Sequence, residues 1–84
     1  MFDIEVHRHA LKHGLTRESI LYAWENFARK QPRGIDSWLA IGFDRYGREI
    51  EMVAIVQSDG TVLIIHAMSP ATQSMKRELG YGRR

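Results

Sequence analysis

Apolar positions recur with two different periods along this chain. Ile20, Leu21, Trp24, Phe27 and Ala28 follow at i, i+1, i+4, i+7 and i+8, one stripe of helical period. Thr16 stands before them as an N-cap, and Glu18 puts a carboxylate in the first turn, where it suits the helix dipole. Arg29 and Lys30 fall in the last turn and Pro32 follows the stop. The spacing predicts a helix that opens after Leu15 and ends before Pro32. Upstream, Ile4, Leu11 and the Val6/Ala10 pair can share one face. They predict a shorter helix over residues 4–13, closed by Gly14 at its C′ position.

The period then changes to two. Ser37–Phe43 is expected as a strand with Leu39, Ile41 and Phe43 on one face. Asp44-Arg45-Tyr46-Gly47 reads as a turn. Glu49–Gln57 is expected as a second strand, with Ile50, Met52, Ala54 and Val56 on one face. Asp59-Gly60 is a strong hairpin signal. Thr61–Ala67 follows as an almost continuously apolar strand, central or covered on both faces. Ser69-Pro70 fits an N-cap and a first-turn proline, opening a last helix over Ala71–Leu79 that Gly80 closes. Tyr81–Arg84 is expected to be a frayed basic tail. The order is ααβββα: an α+β fold with a three-stranded antiparallel meander, packed by helices on one face. Residues 1–84 are expected to be a single domain.

Composition narrows the function classes. The 84 residues include no cysteine, so disulfides, thiolate zinc sites and thiol nucleophiles are excluded. The first residues lack the basic and apolar regions of a secretory leader, and no apolar run approaches the ~20 residues of a membrane span. A cytoplasmic protein without membrane contact is expected. Net charge is +2, with nine arginines against three lysines. The planar guanidinium fork suits phosphate and carboxylate, which tilts the expected partner toward an anion.

Three segments carry a resemblance. The first is Lys12-His13-Gly14-Leu15-Thr16 before a helix. The second is a strand ending Ile41-Gly42, then a turn and two strands. The third is Ile65-His66-Ala67-Met68-Ser69-Pro70-Ala71-Thr72, leading into Met75-Lys76-Arg77-Glu78. In order and spacing these resemble the BrnT-like family of bacterial type II toxins, over roughly Ile4 to Glu78. The resemblance implies a compact RelE-like fold. It also implies a metal-independent endoribonuclease that blocks translation, needs no cofactor, and is held by a small antitoxin with a ribbon-helix-helix part. A homodimer or a toxin–antitoxin oligomer would be compatible with it. The family's Ser-Ala-Arg after the last strand is His66-Ala67-Met68 here, so Met68 replaces its arginine. That leaves a non-catalytic module binding an antitoxin or nucleic acid as the alternative.

Cleavage through an internal 2′-hydroxyl needs a base, an acid and cations for the phosphorane. His66 is the candidate base or acid, since imidazole titrates near neutrality. By strand alternation it shares a face with Val62 and Ile64, which also fits a structural core histidine. Arg45, Arg48 and Arg77 are candidate transition-state ligands. Lys12, Arg33 and Lys76 are candidate phosphate ligands. Each also fits an ordinary solvated turn or helix face. Trp38 alternates to the face of Ala40 and Gly42, where it can stack a base, dock a partner or pack against the N-terminal helix. His7, His9 and His13 suggest a metal, but no third ligand completes a shell, so no metal site is expected.

Overall fold

The structure, a computed structural model, describes residues 3–81. The tail arginines Arg83 and Arg84 lie outside them. The chain runs β1 (Ile4–Val6), a four-residue 3-10 turn (Arg8–Leu11), α1 (Arg17–Glu25), β2 (Phe27–Arg33), β3 (Ser37–Phe43), β4 (Glu49–Val56), β5 (Val62–Met68) and α2 (Gln73–Glu78). The strands form one five-stranded mixed sheet in the order β1-β5-β4-β3-β2. β1 is parallel to β5, and every other pair is antiparallel. No helix among the described residues is long and apolar enough to cross a membrane.

This corrects the expected ααβββα order with its three-stranded sheet. The meander β3-β4-β5 is present, but a strand is added at each edge. Ile4–Val6 is not helical: its backbone pairs with Val62–Ile64, and the His7 amide donates to the Ile64 carbonyl at 2.8 Å. Three residues are too few to show a period, so only the neighbouring strand decides their conformation.

The second correction falls at Asn26. Thr16 caps α1 as expected, its hydroxyl accepting the Ser19 amide at 3.1 Å. The helix nevertheless stops after nine residues, having buried Ile20, Ala23 and Trp24. Phe27–Arg33 then pairs along β3, from Phe27 opposite Gly42 to Arg33 opposite Ser37. Without that pairing the outer amides and carbonyls of β3 would form a long open edge. Phe27 and Ala28 matched the helical period but lie in an exposed edge strand.

Both faces of the sheet are covered, not one. On the first, α1 and the 3-10 turn pack Ala10, Ile20, Ala23 and Trp24 against Ala40, Ile50, Met52, Ala54 and Ile64. On the second, α2 brings Ala71, Met75 and Leu79 onto Leu39 and Ile41. Among the described residues six large side chains are completely buried: Ile20, Ile50, Met52 and Ile64 on the α1 side, Leu39 and Ile41 on the other. Each stabilises the fold by ~1.5–3 kcal/mol, so the α1 side carries the larger share. The last helix is shorter than expected. Thr72 is its N-cap, not Ser69, and the Ser69–Pro70 bond is cis.

Candidate functional site

A one-residue bulge decides where His66 points. Ala54 pairs with Ile64 but Val53 pairs with His66, so Ile65 is an extra residue in β5. Strict alternation would keep His66 on the side of Val62 and Ile64. The bulge instead turns it to the opposite face, with Val53 and Glu51, the side covered by α2. Ala67 then returns to the α1 side, where it is fully buried.

On that face His66 meets Glu51, with Nε2 2.9 Å from the Glu51 Oε2. The Glu51 side chain is 6% exposed and that of His66 30%. Burial pushes the Glu51 carboxyl up. The Thr72 amide, donating to Oε1, and the His66 ring outweigh that, so its pKa ends below the ordinary glutamate value. Glu51 is therefore an ionised acceptor. A neutral imidazole facing it must carry its proton on Nε2, which leaves Nδ1 as the proton-accepting nitrogen. The His13 ring approaches edge-on, with centroids 5.8 Å apart.

The surroundings tie this pair to α2. Glu49 accepts the Ala71 amide at 3.2 Å and pairs with Lys76 at 3.2 Å. Glu49 and Glu51, two positions apart on β4, thus hold the entry to α2. Lys76 is already paired, and Arg77 is exposed in the last turn of that helix. Lys12 is exposed and directly precedes His13.

The other candidates lie elsewhere. Arg48 donates to Asp44 at 2.7 Å and to the Ser19 hydroxyl at 3.2 Å. The Arg45 guanidinium stands 5.7 Å from the Tyr22 ring of α1. Both line a hollow of about 170 Å³ with Thr16, Glu18, Ser19 and Tyr46 on the α1 side of the sheet. Trp38 is also on that side, packed against the α1 core. Arg33 is held by Glu78 through two hydrogen bonds, 2.9 and 2.7 Å, at the C-terminal end of α2. Thus Lys76 and Arg77 lie on α2, which covers the face that His66 shares, and Lys12 directly precedes His13, while Arg45, Arg48 and Trp38 are across the sheet.

Glu51 and His13 are the members that sequence reasoning did not assign to the site. Glu51 had a signal: with Glu49 it is one of two acids in an otherwise apolar strand, and it lies on the same side as Val53 and Ile55. His13 had none, since its approach to β5 depends on the tertiary path of the 3-10 turn. His7 accepts the His9 amide at 3.1 Å, a local turn contact. Among the described residues no group of three or more histidines and acids is arranged to hold a metal ion. No protein-family model matches the chain, and no similar protein was found among curated proteins or solved structures.

Proposed function

We propose that the chain is a cytoplasmic RNA-cleaving toxin of the BrnT-like kind, acting through His66 and restrained by a cognate antitoxin. The observation that carries this reading is the partly exposed His66 ring oriented by the buried, ionised Glu51. A carboxylate that fixes the tautomer and stabilises imidazolium is what a general base requires. In the proposed reaction Nδ1 of His66 takes the proton of a 2′-hydroxyl. The 2′-oxygen attacks the adjacent phosphorus, and the 5′-oxygen leaves with a proton from the His13 imidazolium. The products are a 2′,3′-cyclic phosphate and a 5′-hydroxyl. Lys12 and Arg77 supply positive charge for the phosphate.

The test is cleavage of end-labelled RNA in EDTA, beside a 2′-deoxy substrate. Cutting is expected to vanish with the 2′-deoxy RNA and to fall by ~100-fold or more in His66→Ala, as for loss of a general acid–base group. A folded His66→Ala protein that cuts at the wild-type rate would remove the mechanism. Absence of cutting by the wild type, with and without ribosomes, would overturn the nuclease reading. It would favour the non-catalytic binding module instead. One feature already leans that way: Met68 pairs with Glu51 across the ladder, so a thioether occupies the place where the resembled family has an arginine.

A further inference from the structure

The His13 and His66 rings stand with their centres 5.8 Å apart and their planes crossed at 79°. A metal–nitrogen bond of ~2 Å puts the centres of two imidazoles that share an ion about 5–6 Å apart. We propose that His13, His66 and Met68 form a binding site for copper in its Cu⁺ state, with Glu51 holding His66 from behind.

Glu51 prepares His66 as a ligand. A metal-ligating histidine commonly gives its other ring N–H to a carboxylate, which fixes the tautomer and raises the basicity of the ligating nitrogen. Here the carboxylate is buried and lies 2.9 Å from Nε2, so Nδ1 is the nitrogen left for the ion. The charge of Glu51 also offsets that of the cation. His66 is partly exposed, which leaves a path for the ion. His13 is exposed, so its ring can turn to aim a nitrogen without disturbing the core.

Met68 selects the metal. The bulge at Ile65 puts His66 on the α2 side, and alternation returns Met68 to that side, opposite Glu51 in the ladder. Its unbranched, flexible side chain can swing the sulfur toward the His66 ring. A thioether is a soft donor that favours Cu⁺, whereas magnesium and calcium prefer oxygen. The third donor that the histidines alone do not supply is thus a sulfur. The chain has no cysteine, so no thiolate competes for the ion. His7 and His9 are the rival pair, but their centres are only 4.6 Å apart and His7 Nδ1 already accepts the His9 amide.

The proposed cleavage needs the same Nδ1, so a bound ion would stop it. That consequence rests on the nuclease reading; the binding does not. The experiment titrates the full chain with Cu⁺ under anaerobic, reducing conditions, in competition with bicinchoninate. It follows ¹H–¹³C spectra of the methionine methyls and histidine rings. Saturable binding of one ion is expected. The Met68 methyl and the His13 and His66 rings should move, while the buried Met52 and Met75 methyls stay. Met68→Leu nearly keeps the side-chain volume and is expected to weaken Cu⁺ binding by about tenfold or more while leaving Zn²⁺ binding unchanged. Glu51→Gln is expected to weaken Cu⁺ binding by ~10–100-fold, the range for a partner behind a ligating histidine. His9→Ala is expected to leave it unchanged. Circular dichroism confirms the fold of each variant. Lack of saturable Cu⁺ binding would overturn the proposal. So would binding that Met68→Leu leaves unaltered, or shifts confined to His7 and His9. A chain that binds Cu⁺ at these residues but cuts no RNA in metal-free buffer keeps the site and loses the nuclease reading. Undiminished cutting by the Cu⁺-saturated chain would remove Nδ1 of His66 as a ligand.

Discussion

Asp44 has no exposed side-chain surface and still carries a charge. It accepts the amides of Tyr46 and Arg48 at 2.9 Å each, and the Arg48 guanidinium at 2.7 Å. Burial alone would raise its pKa, but these donors outweigh it and hold the carboxyl below the ordinary aspartate value. Asp44→Asn keeps the size but loses the charge and part of the acceptor capacity. It is expected to cost ~1–3 kcal/mol in urea unfolding, the penalty for buried groups left without partners. Glu51 is depressed in the same direction, so the two acids share a pH signature. A depressed folded pKa gives stability that is complete above the unfolded value and is lost as pH falls through the folded one. Thermal unfolding is therefore expected to be insensitive to these groups near neutrality. It should weaken below about pH 4, where unfolded carboxylates titrate. A Tm that rises on acidification through that window would contradict the assigned hydrogen bonds.

Elements were legible where period and turn chemistry agreed. Ser37–Phe43 has the expected bounds because alternation, the Asp44–Gly47 turn and the following strand all support it. The Asp59-Gly60 hairpin is equally local, with Gly60 at φ 90° as its turn requires. β2 was illegible for the opposite reason. Phe-Ala-Arg-Lys-Gln-Pro-Arg has little strand propensity, and its first two residues extend the helical stripe. It becomes a strand because β3 offers it a ladder, while its Arg29 and Gln31 side chains cap the α2 carbonyls of Leu79 and Glu78 at 3.1 Å. Gly42 shows how closely α1 then lies on β3: a Cβ there would overlap the Ala23 carbonyl oxygen. Because the obstacle is backbone, Gly42→Ala is expected to cost ~1–3 kcal/mol or more in chemical denaturation. An unchanged denaturation midpoint would show that α1 can shift away.

At the scale of the molecule the two layers differ in how firmly they are held. α2 has six residues, well below the ~12–15 that an isolated helix needs in water. It persists through Ala71, Met75 and Leu79, the Glu49 and Glu51 acceptors at its entry, and Arg29 and Gln31 at its exit. Met75→Ala is expected to destabilise the chain by ~2–4 kcal/mol. Amide exchange should quicken first in α2 and only later in β3 and β4; uniform acceleration would mean that both layers open as one unit. The candidate site inherits this dependence, since Glu51 bonds both His66 and the first turn toward α2. The sequence by itself determined α1's start, the β3-β4-β5 meander and its turns, because those depend on residues close together in the chain. It also marked His66 and Trp38 as residues to follow. Only the tertiary structure decided that residues 4–6 and 27–33 are strands, since each takes its conformation from a ladder with a distant partner. The bulge at Ile65, which places His66 on Glu51, likewise depends on how β4 and β5 pair.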